Sequence, residues 1–229
     1  MSKEINRREF LKTSVVTSTV CVTAGTAFIS PTLTFAAERT PISLLKPLVD
    51  GGRPFMQVLK DRKTSREFSP EKLPMQVLSN LLWAALGVNR SDSGKRTAPS
   101  ANNRQEIDIY VATADGLYLY DAKSHALMPL LAEDIREKTG GQASVKEAPV
   151  NLVYVADLAK MGTASQADRE FYSAADTGFI SQNVYLYCAS EGLSTFVRAM
   201  VDRPTLSKAM NLRPDQKIVL AQSVGYPKR

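Results

Sequence analysis

The longest periodic stretch of the chain sets the terms for any fold. Between Asp168 and Glu191, Phe171, Ala175, Gly178, Gln182, Tyr185 and Ala189 recur at spacings of three and four residues, which places them along one side of an α-helix. Gly192 follows, where a helix C-cap is expected. The segment reads as apolar on most of its faces, so we expect a long buried helix, packed inside the domain or against a partner subunit.

Shorter elements surround it. Pro54 to Arg62 reads as a short helix. Pro74 to Leu86 reads as a better one, with Val77, Leu78, Leu81, Leu82 and Ala85 on one face, proline in its first turn and Gly87 at its end. Ser91 to Arg104 is polar and loop-like. Ile107, Ile109 and Val111 then alternate with polar partners as a strand does. Leu117–Tyr120 and Ala126–Leu131 form a hairpin around Asp121–His125, and a short helix near Glu133–Thr139 stops at Gly140-Gly141. Val150–Val155 is an apolar strand. After the long helix come a strand over Thr195–Val201, a short helix over Pro204–Met210 and a final strand over Ile218–Val224. Strands and helices mix without strict β-α-β alternation, so the class is α+β. Residues 37–53, with Pro41, Pro47, Gly51 and Gly52, read as a linker or N-terminal arm lying on a domain that occupies residues 54–229.

The N-terminus carries a different signal. Asn6-Arg7-Arg8-Glu9-Phe10-Leu11-Lys12 resembles the twin-arginine signature of the bacterial Tat export pathway. An uncharged run from Thr13 to Phe35 follows, then Ala36-Ala37 for a peptidase. We read residues 1–36 as a removed twin-arginine signal peptide, with a periplasmic or other extracytoplasmic destination and membrane contact only during export. The alternative is an uncleaved anchor, because the run is long enough to span roughly 30 Å of hydrocarbon. The Tat machinery carries folded cargo, which suggests a redox cofactor inserted before export.

Composition closes several routes. Without its leader the chain loses four basic residues (Lys3, Arg7, Arg8, Lys12) and two acidic ones (Glu4, Glu9), so its formal charge falls from +6 to +4. Such a mild surplus suits an anionic small molecule, and no dense run of basic and aromatic residues argues for nucleic acid. What remains holds one cysteine, Cys188, and one histidine, His125. Neither an internal disulfide nor a Cys/His metal cluster is expected. His125 sits in a polar connection and reads as a turn residue rather than a base. Cys188 lies in an apolar run and reads as core.

Two clusters carry chemistry. Arg62-Lys63-Thr64-Ser65-Arg66 packs three cations and two hydroxyls into five positions, a set suited to a phosphate monoester. A charged surface turn explains it as well. Lys95-Arg96-Thr97-Ala98-Pro99-Ser100-Ala101-Asn102-Asn103-Arg104-Gln105 offers amides, hydroxyls and cations for the edge of a planar heterocycle, or is simply a polar loop before a strand. No G-x-G-x-x-G or P-loop motif is present.

Taken in order, these stretches resemble the nitroreductase family of FMN-dependent oxidoreductases. The residues that carry the resemblance are Arg62-Lys63-Thr64-Ser65-Arg66-Glu67-Phe68, Leu81-Leu82-Trp83-Ala84-Ala85-Leu86-Gly87, Pro99-Ser100-Ala101-Asn102-Asn103-Arg104-Gln105, Gly178-Phe179-Ile180-Ser181-Gln182-Asn183 with Gly192-Leu193, and Gly225-Tyr226-Pro227. The resemblance implies an α+β fold with a mixed central sheet flanked by helices, and a homodimer whose long helix lies in the interface and which binds two FMN there. It implies that Arg62, Lys63 and Thr64 meet the FMN phosphate and ribityl chain and Arg66 the pyrimidine end. Pro99, Ser100 and Asn103 would approach the flavin too, from either subunit, and Phe196 to Arg198 would lie near its N5. Lys228 and Arg229 would reach the phosphate. The implied activity is ping-pong transfer of hydride or two electrons from a small-molecule donor to a small organic acceptor. The flavin carries the chemistry, and no catalytic side chain or metal is needed. Glu106-Ile107 replaces the Pro-Trp of many members, which brings the chain closer to the branch of peptide thiazoline and oxazoline dehydrogenases. A non-catalytic exported flavin- or anion-binding protein is the other reading of the same residues.

Overall fold

The computed structural model describes residues 40–228; the expected leader and Arg229 lie outside the described residues. Nine strands and five α-helices are formed within it. In chain order they are β1 (Ile42–Ser43), α1 (Phe55–Asp61), α2 (Met75–Leu86), β2 (Val88–Arg90), β3 (Lys95–Arg96), β4 (Ile107–Thr113), β5 (Gly116–Asp121) and β6 (Ala126–Leu131). There follow α3 (Ala143–Glu147), β7 (Val150–Asp157), α4 (Gln166–Glu191), β8 (Ser194–Arg198), α5 (Arg203–Ala209) and β9 (Gln216–Gly225).

The main sheet has seven strands in the order β1-β6-β5-β4-β7-β9-β8. Where a mixed sheet was expected, each of its pairings runs antiparallel. β7 is an inner strand, between β4 and β9, with every residue buried. Leu152 and Tyr154 face a core built with α2 and α4, while Val153 and Val155 face a second core closed by Leu206 of α5. Burial on both faces explains why this strand, Asn151 and Asp157 apart, reads as an apolar run rather than an alternation.

The segment before Pro54 is wired into the domain. Ile42 and Ser43 pair with Leu127 and Ala126 as an edge strand, Leu44 is buried, and its N–H donates to the His125 carbonyl at 3.0 Å. His125 takes a left-handed backbone, φ +48°. Its ring meets Ser79 Oγ at 2.8 Å and the Leu45 carbonyl at 3.1 Å through Nε2, and Tyr120 Oη at 2.9 Å through Nδ1. The histidine is a structural junction of arm, α2 and hairpin.

Helix α4 departs from the sequence reading. It begins at Gln166, capped by the Ser165 hydroxyl, which accepts from the Asp168 N–H, and ends at Gly192 in the left-handed region. Its buried stripe is Ser173, Asp176, Thr177, Ile180, Ser181, Val184, Tyr185 and Cys188. Phe171 and Phe179 are exposed, at 68% and 50%. One chain therefore buries a single face of this helix, because its stripe alternates small polar and apolar residues while two phenylalanines point the other way. Two smaller differences concern the loops. The polar stretch before β4 contains β3, which pairs with β2 just before it, and the expected Glu133–Thr139 helix is a 3₁₀ turn over Arg136–Thr139 followed by α3.

Candidate functional site

Helix α1 ends at Arg62, and the backbone turns extended there. From that point the chain is laid along β8 and β9. The Ser65 N–H donates to the Thr195 carbonyl at 3.0 Å and the Ser69 N–H to the Tyr226 carbonyl at 2.9 Å. Ser194 Oγ donates to Ser65 Oγ at 3.0 Å. Tyr185, from the buried stripe of α4, ties the segment to the sheet: its hydroxyl accepts the Val197 N–H at 3.0 Å, leaving its own proton for Thr64 Oγ1 at 3.1 Å. The Arg62 guanidinium stands 5.4 Å from the Tyr185 ring centroid, within cation–π range.

These contacts frame a cleft of about 560 Å³, with Arg53, Lys60, Arg62, Lys63 and Ser65 on one side and Tyr185, Gly192, Leu193, Ser194, Thr195 and Pro227 on the other. Arg53 pairs with Asp61. Hydrogen bonds from Gln57 and Arg53 hold the Asp61 carboxyl below its usual range. Among the described residues no carboxylate forms an ion pair with Arg62 or Lys63. Their charge is available to an anion. A neighbouring groove of about 900 Å³ shares Gly192 and Pro227 with this cleft and has exposed Lys228 on its wall. Gly225 has no room for a side chain, since a Cβ there would stand 2.5 Å from Pro149 Cδ.

Phe196 of β8 has two guanidinium neighbours. Arg66 lies 5.5 Å and Arg198 5.2 Å from its ring centroid. Arg66 is exposed, whereas Arg198 is buried and bonded only to neutral groups: the Thr139 carbonyl and hydroxyl, Asn151 Oδ1 and Ser223 Oγ. Burial lowers its pKa to about 10, which leaves it a cation at neutral pH.

The second cluster is built differently. Pro99 and Asn103 are exposed and Ser100 is half-buried. Asn102, Asn103 and Gln105 all take left-handed backbone, φ +54°, +54° and +50°, a conformation asparagine tolerates better than most side chains. The Ser100 hydroxyl accepts the Gln105 N–H at 3.0 Å. The Ala101 N–H donates to Asp176 Oδ2 of α4 at 2.9 Å.

One chain does not bring the two clusters together. The first packs at Tyr185 and the second at Asp176, nine residues earlier, which is about 14 Å along the helix. Arg53, Lys60 and Tyr185 were missed in the sequence. Arg53 sits beside Gly51-Gly52 in what reads as a linker, and Tyr185 is only one member of an apolar stripe.

This architecture has known counterparts. The model of the nitroreductase family matches residues 59–226. The chain belongs to the nitroreductase family. A protein of Methanocaldococcus jannaschii that bears the nitroreductase name is 32% identical over 149 residues, covering 60% of this chain and 74% of the relative. Among solved structures, a nitroreductase-named protein from Ralstonia eutropha is 43% identical with a TM-score of 0.80, covering 84% of this chain and 92% of its own. The NADPH:FMN oxidoreductase of Vibrio harveyi shares the fold, at 16% identity and a TM-score of 0.59, over 76% of this chain and 69% of that one.

Proposed function

We propose that this nitroreductase-family chain is an exported FMN-dependent oxidoreductase that takes two electrons from a small-molecule donor and, once the donor has left, gives them to a small organic acceptor. The observation that carries the reading is the unpaired Arg62–Lys63 pair facing a cleft walled by Tyr185, Ser194 and Thr195. Cations and hydroxyls on a short extended segment form a donor set suited to a phosphate monoester. In this reading Arg62, Lys63 and Thr64 hold the phosphate and ribityl chain, and Lys228 and Arg229 add charge from the C-terminus. FMN supplies two-electron chemistry at its N5. Arg66 and the buried Arg198 set a positive potential around Phe196, which favours a partner that gains negative charge.

Pro99, Ser100 and Asn103 complete the site from a second copy. The 14 Å offset along α4 supports this arrangement, and so do the exposed Phe171 and Phe179 on that helix and Phe55 and Met56 on α1. A homodimer would cover these residues and close the offset. The leader motif supports a destination outside the cytoplasmic membrane, where NAD(P)H is not freely available, so in this reading the donor is another reductant such as a quinol or an exported carrier. Turnover of NADPH at a kcat/KM of roughly 10⁴ M⁻¹s⁻¹ or above would overturn that choice.

The deciding experiment is the visible spectrum of the purified protein with mass analysis of any released chromophore. Flavin bands and an FMN mass at about one per chain are expected. A colourless protein that also fails to bind added FMN ends the oxidoreductase reading.

A further inference from the structure

A chamber of about 360 Å³ opens between the segment before α2, the arm strand β1 and the β4–β5 turn. It shares no lining residue with the cation cleft, and the flavin reading gives it no task. Ile42, Leu73, Met75, Leu78, Leu127 and Val150 make its walls apolar. Chambers of this size and lining are where small molecules bind, provided a few polar groups are left to orient them.

The charged groups here are mostly engaged. Lys72 pairs with Asp115 at 2.8 Å, Lys146 with Glu137 at 2.9 Å and Arg136 with Asp134 at 2.8 Å. Glu147 also lines the chamber and forms no ion pair among the described residues. An anion is therefore disfavoured, because it would meet a carboxylate and no cation that lacks a counter-charge.

What remains open are neutral donors. Tyr118 is 7% exposed, with its ring in the main core and its side chain on the chamber wall. Its hydroxyl has no hydrogen-bond partner among the described residues, although a buried tyrosine hydroxyl ordinarily finds one. Helix α2 begins at Met75, on the same wall, with no side-chain cap and no acidic residue in its first turn. The Met75 and Gln76 N–H groups are consequently unpaired and add positive potential there. The Tyr118 ring and the Met75 sulfur both suit contact with an aromatic face.

We propose that this chamber binds a neutral aromatic carbonyl compound of one or two rings, its ring against Tyr118 and Met75 and its oxygen accepting from the Tyr118 hydroxyl. The Lys72–Asp115 pair joins the segment before α2 to the β4–β5 turn, with both side chains largely exposed. Such a pair is weak, so entry past it breaks no strong contact. The site needs no flavin, and Arg62, Lys63 and Thr64 take no part in it.

The probe is para-fluoroacetophenone, followed by fluorine NMR on the purified protein with and without saturating FMN. Saturable binding with a Kd of about 1 mM or tighter is expected for so small a ligand, unchanged by FMN. Ala114→Trp, at an exposed position of the β4–β5 turn on the chamber's edge, fills the space and should weaken binding about tenfold or more. Tyr118→Phe should weaken it about fivefold, the worth of one hydrogen bond, and leave the melting temperature unchanged because the hydroxyl holds nothing in the fold. The anion para-fluorobenzoate should bind about tenfold more weakly than the ketone. Absence of saturable binding, displacement by FMN, or an affinity unmoved in either variant overturns the site, and a benzoate that binds as well as the ketone refutes the neutral class. Should Ala114→Trp not fold, Tyr118→Phe decides alone. A protein that proves colourless and binds no FMN leaves each of these expectations in place, so the two proposals fail separately.

Discussion

The Arg62–Phe68 segment and the Pro99–Gln105 loop are both polar stretches beside a strand, yet they are held by opposite means. The first uses ordinary extended backbone, pinned by Thr195, Tyr226 and the Tyr185 hydroxyl, so Arg62 and Lys63 need not hold the fold together and remain free for an anion. The second uses left-handed backbone that needs support, and side chains supply it: Asp176 at the Ala101 N–H, Ser100 at the Gln105 N–H and Lys160 at the Gln105 carbonyl. A segment in ordinary backbone can devote its side chains to binding, whereas a segment in left-handed backbone depends on side chains that hold its shape.

The contrast can be broken most forcefully at the cations. Replacing Arg62 and Lys63 together by alanine should weaken FMN binding roughly 100-fold or more, since each charge-assisted bond is worth about 1.5–3 kcal/mol, while the melting temperature stays nearly unchanged. Fluorescence titration and a thermal scan read the two quantities. The second cluster should behave the other way round. Asp176→Ala leaves the Ala101 N–H without its acceptor in a part-buried site and should cost about 2 kcal/mol by urea unfolding. Tyr185→Phe removes a hydroxyl shared by Thr64 and Val197 and should cost about 1 kcal/mol in the same assay. An equal loss in Tyr185→Phe and Asp176→Ala would erase the distinction between the two segments.

A smaller effect follows from pH. The folded-state pKa of Glu106 is raised to about 7 from the model-peptide value of 4.5, so between those values the native state binds more protons than the unfolded chain. Stability should therefore fall as pH rises from about 4.5 to about 7 and level off above it. Urea midpoints of Glu106→Gln should lack this contribution. The smallest change is expected for Lys228→Ala, an exposed cation at the margin, whose loss should alter FMN affinity by about twofold or less.

The regular elements were legible where burial is one-sided or complete. Leu81, Leu82 and Ala85 announced α2 by their spacing, and Val150–Val155 announced β7 by its apolar content, Asn151 apart. β1 was not legible, because two residues between Pro41 and Pro47 are too few to show an alternation. The exposure of Phe171 and Phe179 was missed for a related reason: periodicity shows that a helix has faces, and the sheet decides which one it buries. In the site, the cations were visible as a cluster, but Tyr185 and Asp176 depend on contacts across about 120 and 75 residues. Local pattern carries no trace of those.

The two ends of the sheet have a consequence for solubility. β1 is a two-residue strand flanked by Pro41, and β8 has its outer side engaged at Thr195 by the Ser65 N–H. Short strands, proline and a covering segment are the means by which sheets avoid templating their own extension. Fibre-like stacking is thus discouraged at both margins, and any association of copies is left to the helical surface bearing Phe171 and Phe179.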